Sequence, residues 1–517
     1  MEIELKFLLA EEHVETFKKT ASSYNHQTKD LGSSVLSNAY YDTKSKTLRD
    51  WDIGLRTRTI EKSDEAARAE QTVKLAGTDL GGLQQRPEFN VDINLSSNSS
   101  AAFANLDLFE PTIWPNGFDV KTVNSNLVKV FETRFTRYKW IIELASGGLV
   151  ECVLDQGIVE AEHDGQMQQQ TICEFELELL KGDPSSLFEL AYYFSQKVPA
   201  KLGYLSKAAR GYHLAQGQIP KVKNLESVAL KPGLSIEQAF IKSLSYGLSF
   251  VQHNELVFAQ DHKSKSFRRV MDGVSLIIQT LTLFAPHLRN SSCNQFIKRF
   301  RTWRGQVSWL ESFYQLDKLQ DRKSPYRKDI ESRAPIMALL ASKKMPEDKL
   351  QSLADEFYTS QFNQLMLNFI HWLSRKGWRN EVTLTELKGL GQSIEYQAQN
   401  WLTKAWQDFK QGVETLDLNG DHKAIERNYW QLVAGMLTGL IVGQLYAEQE
   451  REQFRGQLLN LLLGFEEYIL LLKLQHVISQ EPEIEQESVK WISAKMGSLE
   501  IALSASVIAV KKLKPYW

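Results

Sequence analysis

The chain has 517 residues, 43% hydrophobic and 24% charged, which excludes a disordered protein and at this length requires more than one core. A formal net charge of −2 gives no global attraction to nucleic acid or to an anionic membrane, so any anion recognition must come from local clusters. Three cysteines, Cys152, Cys173 and Cys293, cannot build a disulfide framework; the first two fall on apolar faces of predicted strands, and a reducing cytoplasm is expected.

The opening run Met1-Glu2-Ile3-Glu4-Leu5-Lys6-Phe7-Leu8 alternates with a period of two, so a β-strand here puts Glu2, Glu4 and Lys6 on one face and Ile3, Leu5 and Phe7 on the other. No basic segment followed by an apolar one precedes it, so no secretory signal is expected. Residues 10–24 predict a helix. Strands are predicted over 35–41, 53–59, 69–75, 84–93, 128–144, 149–155 and 171–180, with hairpin turns at 78–82 and 146–148. With the first strand these make eight, enough to close an antiparallel barrel whose interior every strand reaches. Asp183-Pro184 starts another helix, and the glycine, prolines and lysines of 216–234 read as a linker. From Ser235 the period becomes 3.6, predicting helices over 236–258, 268–284, 295–316, 364–378, 425–446, 451–478 and 488–513. Arg304-Gly305-Gln306-Val307-Ser308-Trp309-Leu310 parallels Leu463-Gly464-Phe465-Glu466-Glu467-Tyr468-Ile469, and Leu283-Phe284 parallels Leu445-Tyr446, which predicts two copies of a helical unit. The most apolar window, 432–442, is too short for a membrane span and reads as a buried helix. The expected architecture is an α+β domain on an eight-stranded antiparallel β-barrel over 1–215, then an all-α helical-bundle domain over 235–517 with two pseudo-repeats.

The charged faces of the strands carry the chemistry. Arg56 and Arg58 lie two residues apart; Arg68, Glu70, Thr72 and Lys74 share a face, as do Arg86, Glu88, Asn90 and Asp92, then Glu151 and Asp155, then Glu174, Glu176 and Glu178. So many charges turned inward require a wet, compensated interior. Carboxylates are the ligands that Mg²⁺ or Mn²⁺ demands, and arginine and lysine contact phosphate oxygens. Together they imply a metal–polyphosphate complex and phosphoryl transfer to water.

Glu2-Ile3-Glu4-Leu5-Lys6, Tyr40-Tyr41-Asp42-Thr43, Leu55-Arg56-Thr57-Arg58, Thr72-Val73-Lys74, Leu154-Asp155, the Glu174/Glu176/Glu178 alternation and Ser206-Lys207-Ala208-Ala209-Arg210-Gly211-Tyr212 together resemble the CYTH domain of the triphosphate tunnel metalloenzymes. The resemblance covers about residues 1–215, and the helical half resembles a CHAD domain. It implies a bacterial inorganic triphosphatase, cleaving tripolyphosphate to pyrophosphate and phosphate with Mg²⁺ or Mn²⁺. It further implies that Glu2, Glu4, Asp155, Glu174, Glu176 and Glu178 hold metal and water, that Lys6, Arg56, Arg58, Lys74, Arg86, Arg137 and Lys207 clamp the substrate, and that Glu2, Glu4, Lys6, Glu176 and Lys207 are catalytic. Arg134 and Arg137 fall on opposite faces of one strand; Arg137 is favoured because Trp140 follows it at the family's spacing. Lys201 is a weaker alternative to Lys207, and Tyr40 and Tyr41 read as wall packing.

Other signals point elsewhere. Residues 77–82 lack the ending of a P-loop, and Asp417-Leu418-Asn419-Gly420-Asp421 places its glycine wrongly for a calcium loop and reads as an interhelical turn. The histidines lack paired ligand spacing. In the helical half, Arg268 stands where a CHAD module has histidine, and Met271, Ser275 and Ile278 stand where cations are expected; Gly435, Leu437 and Leu440 occupy the matching stretch of the second copy. The expectation is weak polyphosphate binding there, with a bracing role or a protein partner instead, and no nucleic-acid or membrane partner. A nucleoside or organic triphosphatase, a class IV adenylyl cyclase, and a polyphosphate-binding scaffold are the alternative readings.

Overall fold

In the computed structural model, which describes residues 1–24, 27–63, 65–94, 103–288, 291–322, 324–343, 346–414, 416, 422–480 and 486–517, the chain forms two compact units. One comprises Met1–Pro220 and Asp355–Arg375, the other Lys221–Ala354 and Lys376–Trp517. The segment 417–421 lies outside the described residues.

The first unit runs β1 (Glu2–Leu9), α1 (Val14–Ser22), β2 (Thr28–Thr43), α2 (Thr47–Asp50), β3 (Gly54–Lys62), β4 (Glu65–Lys74), β5 (Thr78–Leu80), β6 (Leu83–Arg86), β7 (Glu88–Ile93), α3 (Val120–Ser125), β8 (Leu127–Glu143), β9 (Leu149–His163), β10 (Gln166–Lys181), α4 (Ser185–Lys197), β11 (Ala200–Gly203) and α5 (Lys207–Ala215). Its single antiparallel sheet has the order β5-β6-β1-β10-β9-β8-β2-β3-β4-β7, with β11 added to β1. The predicted strand 84–93 is two strands because Pro87, having no N–H, breaks the ladder. Before it Arg86 pairs with Glu2; after it Glu88 pairs with Lys74, while the Pro87 carbonyl accepts from the Leu75 N–H at 3.0 Å. The chain thus passes across Pro87 alone from β6, next to one end of the sheet order, to β7 at the other end, and the sheet curls into a tunnel. Sequence reading missed β5 and β11, both too short to show alternation.

The tunnel reverses the usual disposition of a small barrel: the outer face is apolar. Phe7 and Phe175 stack at 4.7 Å between ring centres, and Phe17 of α1 lies 4.4 Å from Phe175 and 4.9 Å from Phe194 of α4. Burying these aromatic rings under the helices supplies the hydrophobic drive that a polar interior cannot. Inside, α5 packs Tyr212 against an apolar group that includes Leu36, Tyr40, Phe131, Phe135, Val159 and Ile172. A Cβ on Gly211 would come within 2.1 Å of the Phe131 ring, so only glycine lets the helix seat here.

The second unit is helical: α6 (Ile236–Asp261), α7 (Ser264–Leu288), α8 (Ser291–Gln306), α9 (Trp309–Gln320), α10 (Arg327–Glu331), α11 (Ala334–Ser342), α12 (Glu347–Glu356), which runs to the boundary, α14 (Leu384–Leu390), α15 (Glu395–Glu414), α16 (His422–Val442), α17 (Glu448–Ser479) and α18 (Gln486–Lys511); α13 (Ser360–Ser374) belongs to the first unit. Ser235 and Gln238 form a reciprocal capping box that starts α6. The predicted helix 295–316 is interrupted between α8 and α9, where the Ser308 hydroxyl caps the Gly305 carbonyl at 2.8 Å. The parallel stretch 463–469 lies inside the unbroken α17. Trp406, Phe409, Leu432, Phe454, Phe465, Leu471 and Leu503 share one core across α15 to α18. Among the described residues one helix, α18, is long and apolar enough to cross a membrane, with 22% of its most apolar window buried.

Candidate tunnel site

The strands enclose a cavity of about 750 Å³ whose wall includes Glu2, Glu4, Lys6, Arg56, Arg58, Lys74, Arg86, Arg137, Glu176, Glu178 and Lys207. Strand alternation aims these side chains inward, and register brings them together: Glu4 pairs with Glu178, Lys6 with Glu176, and Arg137 with Asp155. Arg134 is exposed on the outer face. Lys201 is buried on β11, with its ammonium over the Tyr358 ring, and does not line the cavity. Tyr40 lines the wall, whereas Tyr41 packs in the outer core.

Two of the expected metal ligands lie deeper than the others. Asp155 and Glu174 are fully buried and do not line the cavity. Asp155 takes Arg137 Nε at 2.8 Å and Lys207 Nζ at 2.7 Å; Glu174 takes Lys6 at 3.0 Å, Lys207 at 2.6 Å and Arg210 at 3.0 Å. Glu176 joins the network through Lys6 at 2.5 Å, Lys207 at 3.0 Å and Arg137 at 3.1 Å. Ligand atoms of Asp155, Glu174 and Glu176 lie within 4.8 Å of one another, but cations already neutralise them. Alternation predicted the face but not the depth. Burial would raise the Glu176 carboxyl, yet Lys207, Lys6 and Arg137 hold it well below the carboxylate range; burial would lower Lys6, yet Glu174 and Glu176 hold it well above the lysine range.

Near the Pro87 seam the balance is reversed. Burial raises the Glu2 carboxyl against the pull of Lys74, with Glu4 and Glu88 adding repulsion. Lys74 lies 2.5 Å from Glu2 and 2.9 Å from Glu88. Burial, followed by the Glu151 charge, pushes Glu178 up to about 7. Neither Glu4 nor Glu178 has an ion pair among the described residues. Glu2 and Glu178, whose ionisation burial opposes, fit a hard divalent cation, whose binding would replace their protons. Glu151, bonded to Lys139 at 2.5 Å, and Glu88 also line the wall; their positions two and four residues from assigned residues were the available signal.

On β3 Arg56 is half-buried, and its buried Nε has no hydrogen-bond partner among the described residues. Arg58, buried and beside Arg56 and Arg137, is pushed down to about 10 and donates to Asn38 at 2.7 Å. Arg58 also pairs with Glu70 at 3.4 Å, so Arg56 is the guanidinium of this group without a carboxylate among the described residues.

A curled antiparallel sheet with a charged interior, apolar outside and plugged by a helix, defines a tunnel domain with a charged cavity. The CYTH domain family model matches residues 1–212 of the chain. Among solved structures, the CHAD domain from the plant Ricinus communis is 14% identical, covering 57% of this chain and 98% of that one with a TM-score of 0.42. The PH1819 protein from Pyrococcus horikoshii OT3 is 18% identical over 41% of this chain and 97% of its own, TM-score 0.28. HpAC1 from Hippeastrum, an adenylyl cyclase by name that is described as having a dominant triphosphatase activity, is 16% identical over 42% and 97%, TM-score 0.29.

Proposed function

We propose that the tunnel hydrolyses inorganic tripolyphosphate to pyrophosphate and phosphate with Mg²⁺ or Mn²⁺. The reading rests chiefly on one cavity that is lined both by carboxylates without an ion pair, Glu4 and Glu178, and by an arginine without one, Arg56, among the described residues. Glu2, Glu4 and Glu178, with Glu176 beside them, would hold the metal, which when bound supplies countercharge to the phosphate oxygens. Arg56, Arg58, Lys74, Arg86 and Arg137 orient the phosphate chain. Lys6 and Lys207, kept protonated by the buried carboxylates, hold positive charge where the leaving phosphate gains negative charge. Glu176 stays ionised at working pH, so it accepts a hydrogen bond from the attacking water and orients it in line. Cations surround the cavity from β1, β3, β4, β6, β8 and α5, which suits a substrate charged along its whole length.

Phosphate release measured on the full chain with tripolyphosphate, ATP, thiamine triphosphate and long-chain polyphosphate tests this. Preference for tripolyphosphate is expected. Preference for ATP, or conversion of ATP to a cyclic nucleotide, would replace the reading with an organic triphosphatase or a cyclase.

A further inference from the structure

The tunnel's charges can be paired off one by one. Among the described residues, the lysines and arginines that line the cavity from the strands and from α5 each have a carboxylate within 4.0 Å, apart from Arg56. One further lining cation also lacks such a partner, and it comes from neither source: Arg49, on the short helix α2.

Arg49 is held without being neutralised. Its guanidinium carbon lies 4.5 Å from the centre of the Tyr212 ring, a cation–π stack that orients the group and leaves its edge donors free. The backbone N–H of Arg49 donates to Asp42 Oδ2 at 3.1 Å and that of Leu48 to Oδ1 at 2.8 Å. The Tyr212 hydroxyl donates to the same Oδ2 at 2.8 Å. Asp42, fully buried at the end of β2, therefore ties α2 and α5 together and sets both the backbone under Arg49 and the ring beneath its side chain. An arginine needed only for stability would be expected to carry a carboxylate, as its lining neighbours do. A pre-oriented guanidinium without one, on the wall of a polyanion cavity, has its donors available for an incoming anion.

We infer that Arg49 is a substrate-binding residue of the tunnel, contacting a phosphate group of the triphosphate from the α2 side, with Asp42 and Tyr212 as its positioning residues. This rests on the reading that the tunnel binds a triphosphate. No strand alternation points to Arg49, which is why its sequence context conceals it.

The test is equilibrium binding of inorganic tripolyphosphate to the full chain in EDTA, where no turnover occurs, for wild type, Arg49→Gln, Arg49→Lys and Arg56→Gln, with melting temperatures recorded alongside. Arg49→Gln is expected to weaken binding at least tenfold at an unchanged melting temperature, since the Asp42 bonds are to backbone; Arg49→Lys should recover part of the loss. If Arg49→Gln binds like wild type while Arg56→Gln is impaired, the assignment of Arg49 is wrong and the tunnel reading stands. If Arg49→Gln loses affinity only in proportion to a lowered melting temperature and Arg49→Lys behaves identically, its role is structural and the inference fails. Absence of tripolyphosphate binding by wild type would remove both.

Discussion

Arg137 grips Asp155 with two parallel bonds, Nε to Oδ1 at 2.8 Å and Nη2 to Oδ2 at 2.7 Å, and the aspartate is fully buried beneath it. A carboxylate so engaged stabilises the wall, whereas Glu4, facing the cavity without an ion pair, is free to act there. The two should therefore respond differently to loss of charge. Asp155→Asn strands Arg137 and Lys207 over a site with less negative charge and should cost about 3–5 kcal/mol of stability, read as a large fall in melting temperature. Glu4→Gln relieves repulsion with Glu2 and Glu178 but gives up attraction to Lys74 and Lys6, so the fold should melt close to the wild-type temperature while metal-dependent hydrolysis is abolished. Near-normal turnover of Glu4→Gln at saturating metal would misplace the metal site.

The seam carboxylates also set a pH dependence. Glu178 is raised from 4.5 to about 7 and Glu2 is raised too, so in the metal-free protein the folded state holds more protons than the unfolded chain between these values. Stability contributed this way is present at low pH and lost as pH rises, by at most about 3 kcal/mol for Glu178. Glu174 and Glu176 are lowered, so their contribution is present above pH 4.5 and lost as pH falls below it. Metal-free protein is thus expected to melt lower at pH 8 than at pH 5.5. Mg²⁺, which needs the ionised carboxylates, should raise the melting temperature more at pH 8, and hydrolysis should fall as the pH drops below 7. A Mg²⁺ effect of equal size at both pH values would place the cation elsewhere.

Much of the tunnel was legible because alternation is local: Glu2, Glu4 and Lys6, or Arg56 and Arg58, reveal their common face within a few residues. What failed was information carried by tertiary contact. Nothing in the sequence distinguishes Glu174, sealed under three cations, from Glu178 four residues later on the open wall. Pro87 signalled a break, but only the pairing of Arg86 with Glu2 and Glu88 with Lys74 shows that the break closes the ring. In the helical half, periodicity found the long helices and missed the stop at Ser308, where a hydroxyl caps a carbonyl within an otherwise continuous apolar stripe.

Helix α13 was likewise read only as a helix, yet it completes the first unit. Asn363 Nδ2 donates to the Ala200 carbonyl at 2.6 Å, Tyr192 donates to Asn368 at 3.1 Å, and His371 stacks on Phe188 at 4.4 Å. A chain ending at residue 220 is expected to expose this face of α4 and β11 and to lose cooperative melting. Asn363→Ala in the full chain, leaving a buried carbonyl without its donor, should cost about 1–3 kcal/mol. A 1–220 fragment that melts at the full chain's temperature would show that α13 contributes nothing to the tunnel's stability.

The helical unit is expected to offer polyphosphate little. Arg268 is paired with Asp272 at 3.3 Å, with Glu311, and with Glu466 at 3.5 Å; Lys318 and Tyr429 also engage Glu466, each at 3.1 Å. Met271 and Ile278, on the same helix, are buried in the core. The carboxylates take up the donors that an anion would need, and each lost or neutralised cation removes a salt-sensitive contact. Arg304 is instead stacked on Trp430 at 4.8 Å. Long-chain polyphosphate bound to the full chain at physiological salt should therefore be displaced completely by saturating tripolyphosphate, which competes in the tunnel. Binding that survives this competition, and that Arg268→Gln or substitutions among Lys263, Lys265, Lys298 and Arg301 then remove, would establish a second polyanion site on the helices and overturn the expectation.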